Sequence, residues 1–181
     1  SDRLPRRWIA MMKASIRIVG AQYNTHRMLE DYCRELYFPA ARHYLRLSAA
    51  NSAQGQALSE WWDRIRTNWG GVRIVSTGST PEGSLPVTTD VQVTASVALG
   101  ALSPDDVAVQ VYYGIVGSDG ALQSYDVAPM TAGGAGSDGV YTFTGTIHME
   151  RSGLHGFTVR VSPRHPDLSE SHAAELAVWS S

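Results

Sequence analysis

The hydrophobic period changes near residue 72, and no single kind of secondary structure satisfies both sides of that change. Before it, apolar residues recur at helical spacing; after it, they alternate every second residue. From Arg6 to Val19 the apolar positions are Trp8, Ile9, Met12, Ile16 and Val19, with Arg7, Lys13 and Arg17 opposite and Gly20 suited to the stop. A second helix is expected after Asn24-Thr25, with Thr25 as N-cap and Met28, Leu29, Tyr32, Cys33, Leu36 and Tyr37 as its stripe. Pro39 is expected to end or kink it, because proline removes a donor and clashes with the preceding turn. Ala40 to Leu47 continues as helix, residues 51–55 form a loop, and a last helix over Gln56 to Asn68 presents Leu58, Trp61, Trp62, Ile65 and Trp69 before Gly70-Gly71.

Beyond it, Val91, Val93, Ala95, Val97 and Leu99 alternate with polar or small residues. Val107 to Tyr113, Tyr141 to His148 and Phe157 to Ser162 do the same. Val72 to Ser76, Leu122 to Val127 and Glu175 to Trp179 are shorter strand candidates. Ser79 to Gly83, Ser118-Asp119-Gly120, Gly133 to Gly139 and Ser152-Gly153 read as loops. The pattern predicts an antiparallel immunoglobulin-like β-sandwich of roughly seven strands. The fold class is therefore α+β, with a helical domain over 1–71 and a β-sandwich domain over 72–181.

Charge follows the same division. Residues 1–70 carry 11 basic and 6 acidic side chains, a net of +5; residues 71–181 carry 4 basic and 11 acidic ones, a net of −7. The total of −2 argues against a nucleic-acid binder. The lone Cys33 excludes a disulfide framework and a cysteine zinc site, and points to a reducing compartment. Charged and polar residues interrupt every apolar run, and the first residues lack the apolar core of a secretory signal. The first helix starts near residue 1, and short helices need their apolar faces buried, so the chain is expected to be cut from something larger; the alternative is that these helices pack on the second unit alone.

The search for chemistry assigns no catalytic, cofactor-binding or metal-binding residue. Gly133 to Gly139 leads into a strand rather than a helix, unlike a phosphate loop, and Ser137 lacks the Gly-x-Ser-x-Gly elbow. The pairs His148/His155 and His165/His172 lack metal-ligand spacing and are expected to be structural or solvated. Asp105-Asp106 follows Ser103-Pro104 and reads as a turn, not a carboxylate pair. Trp8, Trp61, Trp62 and Trp69 are expected in the core, with one of Trp61 and Trp62 partly exposed. Arg42, Arg46, Arg64 and Arg66 read as a solvated face or a domain contact in preference to a phosphate site. Lys13, the only lysine, lies opposite its helix's apolar stripe.

Two segments carry a more specific signal. Trp8-Ile9-Ala10-Met11-Met12-Lys13-Ala14-Ser15, then Tyr23-Asn24-Thr25-His26-Arg27-Met28 and the break Tyr37-Phe38-Pro39-Ala40, resembles the C-terminal helices of bacterial α-glucan phosphorylases. Leu102-Ser103-Pro104-Asp105-Asp106-Val107, Val111-Tyr112-Tyr113-Gly114 and Ser152-Gly153-Leu154-His155-Gly156-Phe157 through Pro163 resemble the C-terminal extension of the short bacterial enzymes. The resemblance implies a parent that cleaves α-1,4-glucan with phosphate, releasing glucose 1-phosphate, with pyridoxal 5'-phosphate on a lysine N-terminal to this region. Residues 1–71 would close its GT-B-type catalytic core, with Thr25 and Arg27 fixing how the second helix docks. The chain itself would hold no cofactor and be inactive alone. Its implied partners are the missing N-terminal catalytic lobes and α-glucan, not nucleic acid or membrane, in the cytoplasm. The alternative is a carbohydrate-binding or protein-interaction β-sandwich, for which Tyr112, Tyr125 and Trp179 are the candidate contact residues.

Overall fold

The computed structural model describes residues 4–81, 83, 86, 89–135, 139–150, 152–168 and 170–180. Helices occupy the chain up to Asn68 and strands begin at Arg73. The chain divides into two compact units, Ser1–Gln56 and Ala57–Ser181.

The first unit is helical. Helix α1 (Arg6–Gln22) runs two residues past Gly20, and α2 (Thr25–Tyr32) follows. The cap of α2 is Asn24, one residue before the expected Thr25: its Oδ1 accepts from the Arg27 N–H at 2.8 Å. The same side chain donates Nδ2 to the carbonyls of Gly20 and Ala21 at 3.0 and 3.2 Å, so one amide closes α1 and opens α2. An amide can do both because it carries acceptor and donors; a threonine hydroxyl has a single proton to give.

Pro39 does not end the helix. A π-helical segment (Cys33–Tyr37) precedes it, and α3 (Phe38–Asn68) carries on through it. The wider turn suits a proline, which has no N–H for the ladder and clashes with the preceding carbonyls of a regular α-turn. Helix α3 is broken at Ala49–Ser52, where Ala50, Asn51 and Ser52 take positive φ. None of the residues of α1, α2 or the π segment is buried. Trp8, expected in a core, is 59% exposed, and Ile16 is 71% exposed.

The second unit begins with the last turns of α3 and continues into a seven-stranded antiparallel sheet. Its strands are β1 (Arg73–Thr80), β2 (Asp90–Ala98), β3 (Val107–Val116), β4 (Leu122–Ala135), β5 (Val140–His148), β6 (His155–Pro163) and β7 (Val178–Trp179). The order is β1-β2-β5-β4-β3-β6-β7. Strand β4 joins the halves by changing partner: Leu122 to Met130 pair with β3, and Thr131 to Ala135 pair with β5. The sheet curls, so that its edge strands β1 and β7 come into contact. The alternating residues then share one core: Val91, Val93, Ala95 and Val97 of β2, Val107, Val109 and Val111 of β3, and Phe143, Ile147, Val159 and Val161. Ile65 from α3 and Trp69, in the 3₁₀ turn (Trp69–Gly71) that follows it, belong to that core, with Trp61 and Trp62 packed against it, both half-buried.

Three expectations change. The expected loop from Gly133 supplies the end of β4 through Ala135, while Gly136, Ser137 and Asp138 lie outside the described residues. Ser79 and Thr80 belong to β1, not to a loop; Glu82 lies outside the described residues. The expected strand from Glu175 shrinks to Val178–Trp179, because Glu170–Glu175 forms a short helix, α4, that buries Ala173. Its alanines favour a helix. No helix among the described residues is long and apolar enough to cross a membrane.

Candidate functional site

Strict alternation gives the curled sheet two faces. Beside the core residues of β3, β4 and β6 stand their outward neighbours: Gln110 and Tyr112, Tyr125 and Val127, Thr158 and Arg160. The registers Tyr112↔Val127, Gly114↔Tyr125, Tyr112↔Thr158 and Gln110↔Arg160 place these residues side by side. Strand β7 adds Trp179 opposite Arg160. Tyr112, Tyr125 and Trp179, the candidate contact residues read from the sequence, therefore meet on one face.

Tyr112 is the centre of the group. Its ring lies 5.4 Å from that of Tyr125 at an interplanar angle of 48°, and 4.9 Å from that of Trp179 at 63°. The flanking rings stay open to solvent, Tyr125 at 60% and Trp179 at 48%. Arg160 holds the arrangement: its Nη1 donates to the Tyr112 hydroxyl at 2.8 Å, and its guanidinium lies 5.5 and 5.7 Å from the centroids of Tyr112 and Trp179. Sequence reasoning passed over Arg160. The signal was there, since Phe157, Val159 and Val161 face inward and so turn Arg160 outward. A cleft of about 390 Å³ runs from Tyr112, Val127 and Arg160 past Gln110 to Arg164 and His165.

The second cluster is polar and centres on one buried carboxylate. Asp106 ends a 3₁₀ turn (Pro104–Asp106) and is only 7% exposed, whereas Asp105 faces solvent. Arg64 grips its carboxylate from α3, through Nη2 to Oδ1 at 2.6 Å and Nη1 to Oδ2 at 3.1 Å. Trp61 Nε1 donates to Oδ1 at 3.0 Å, and the Ser103 N–H and hydroxyl donate to Oδ2 at 3.0 and 2.9 Å. Arg64 beside it, helped by the Ser103 and Trp61 donors, holds the Asp106 carboxyl well below the usual carboxylate range, although burial acts the other way. With every partner a donor from this chain, the carboxylate serves as an anchor joining the end of α3 to the sheet. The turn reading of Asp105-Asp106 holds, and Arg64 makes a protein contact.

The remaining candidates scatter. Arg42 and Arg46 belong to the first compact unit, Arg64 and Arg66 to the second. His148 pairs with Asp90 and shares a cleft with His155 and Glu150. His165 packs on Trp61 at 4.8 Å, and its Nδ1 accepts from the Asp167 N–H. His172 is exposed. Among the described residues no three His, Cys, Asp or Glu side chains group as metal ligands. Lys13 is exposed on α1, an environment that does not fit a Schiff-base lysine, which needs a desolvated amine. Arg27 is engaged locally, 3.6 Å from Asp31 and 5.6 Å from the Tyr23 ring.

A family model described as the glycogen phosphorylase C-terminal domain matches residues 69–181. The chain belongs to that family. Glycogen phosphorylases from Mycobacterium bovis and Mycobacterium tuberculosis are 32% and 31% identical to it over 174 residues, 96% of this chain and 20% of each relative. Maltodextrin phosphorylase from Thermococcus litoralis is 28% identical over 182 residues, with the same shares. This chain thus spans a fifth of the length of its curated relatives and corresponds to their C-terminal region. The aromatic group of Tyr112, Tyr125, Arg160 and Trp179 lies wholly inside the glycogen phosphorylase C-terminal domain. Trp61 and Arg64, which reach Asp106, come from just before the matched segment.

Proposed function

We propose that this chain is the C-terminal accessory part of an α-1,4-glucan phosphorylase, a scaffold inactive by itself. The parent would cleave glycogen or maltodextrin with inorganic phosphate to release glucose 1-phosphate. The single observation behind this reading is the bare apolar surface of α1 and α2 in a chain whose curated relatives are about five times longer. Trp8, Met11, Met12 and Ile16 line one open apolar face of α1. Faces of this kind mark contact surfaces in folded proteins. The occupant proposed for this one is the parent's N-terminal catalytic lobes, making α1 to α3 the end of a GT-B-type core. The curled sheet would then be an immunoglobulin-like β-sandwich appended to it, in a cytoplasmic enzyme.

Pyridoxal 5'-phosphate, expected in the parent, would be held by residues outside this chain, because Lys13 does not fit that role. The test is phosphorolysis of maltodextrin, read as glucose 1-phosphate, by the protein extended upstream and by the 181-residue chain alone. The extended protein is expected to be active and the chain inactive. Met12→Asp with Ile16→Asp in the extended protein is expected to lower its melting temperature by several degrees. An inactive extended protein, or one indifferent to the double substitution, would overturn the reading.

A further inference from the structure

We infer that the outer face of β4-β3-β6-β7 is a surface site for α-1,4-glucan, built on Tyr125, Tyr112 and Trp179 and set by Arg160. The inference rests on the α-glucan phosphorylase reading above and deepens it by naming a surface of this chain that would hold the polymer.

Three observations lead to it. The first is composition. A sugar ring offers an apolar C–H face edged by hydroxyls, so it needs an aromatic plane flanked by hydrogen-bonding side chains. Here the exposed rings of Tyr125 and Trp179 stand beside Gln110, Thr158 and Arg160, with Val127 the lone large aliphatic among them. The adjoining cleft of about 390 Å³ continues that polar edge to Arg164 and His165. A protein partner would favour a broader aliphatic patch.

The second is angle. The rings are not coplanar; they turn by 48° and 63° about Tyr112. A β-1,4-linked glucan is a flat ribbon and wants coplanar rings. An α-1,4-linked glucan curves from one sugar to the next, so successive units meet rings set at angles.

The third is preorganisation. Strand β7 has only two residues, yet it is clamped to β6. The Val159 N–H donates to the Ser180 hydroxyl at 2.9 Å, the Ser180 N–H to the Val159 carbonyl at 2.9 Å, and the Thr158 hydroxyl to the Ser180 carbonyl at 3.1 Å. The clamp fixes Trp179, and Arg160 fixes Tyr112, so little side-chain freedom is lost on binding.

Affinity electrophoresis of the 181-residue chain in native gels containing glycogen tests the site. Glycogen is expected to retard the chain, with maltoheptaose competing and cellohexaose not. Tyr125→Ala combined with Trp179→Ala is expected to weaken retardation by about tenfold, while Trp179→Phe, which keeps a ring, retains most of it. Thermal melts confirm that each variant is folded. Should the double variant fail to fold, Tyr125→Ala at its exposed position carries the comparison alone. No retardation of the unsubstituted chain, equal retardation of a folded ring-deleted variant, equal retardation by a β-1,4-glucan, or self-association through these rings would each overturn the proposal. Phosphorolysis by the extended protein on short maltodextrins separates the two readings. Activity without retardation sinks the surface site alone; no activity sinks the parent reading.

Discussion

Asp106 shows how far one side chain's surroundings decide its role. Its pKa lies below the unfolded value of about 3.9, so the folded chain binds fewer protons there than the unfolded chain. The stabilisation is complete above that value and is lost as pH falls further. Acid unfolding of the sheet unit, followed by tryptophan fluorescence, is expected to steepen below about pH 4, and Asp106→Asn should flatten that limb. At neutral pH, Asp106→Ala is expected to cost about 1–3 kcal/mol by urea denaturation, since Trp61 and the solvent-reaching Arg64 lose their acceptor. Gly114 is constrained by space instead. A Cβ there would drive into the Ser124 carbonyl of the neighbouring strand. Gly114→Ala is therefore expected to destabilise by about 1–3 kcal/mol, visible as a lower urea midpoint. An unchanged midpoint would show that β3 and β4 can part at no cost. From the sequence, Ser103-Pro104-Asp105-Asp106 was legible as a turn because its chemistry is local. The partner Arg64, more than forty residues away, was not.

At the scale of elements, the helices and strands followed their hydrophobic periods closely, and the departures have local causes. Asn24 displaces Thr25 as cap because its amide serves two helix ends. Asn24→Ala is expected to cost about 1 kcal/mol and to fray both α1 and α2, read as faster amide exchange at Arg27. Asn24→Asp should restore the α2 cap alone, as a carboxylate accepts from Arg27 but cannot donate to Gly20 and Ala21. Pro39 broke the expected pattern because a π segment before it absorbs the missing donor. Strand β4 outran its expected end because a strand that changes partners continues where its first ladder stops. Glycine-rich sequence does not announce such a change.

For the whole molecule, the two units put their hydrophobic residues to different uses. In the second unit, alternating valines close around one core and take in Ile65 and Trp69. In the first, periodic stripes remain on the surface, which on the reading proposed above marks a surface to be covered rather than a core already made. A drop in melting temperature when Met12 and Ile16 are made acidic in the extended protein, with no comparable change in the 181-residue chain, would locate that covering surface outside this chain. By itself, the sequence determined most of the helical and extended segments, where the regime changes, the turn at Ser103-Pro104-Asp105-Asp106, and the resemblance to α-glucan phosphorylases. Those rest on local periodicity, turn chemistry and motif order. Only the tertiary structure decided that Tyr112, Tyr125 and Trp179 share a face with Arg160, and that Asp106 receives Arg64. Alternation fixes which way a side chain points within one strand, but strand order and register, set by long-range pairing, decide its neighbours.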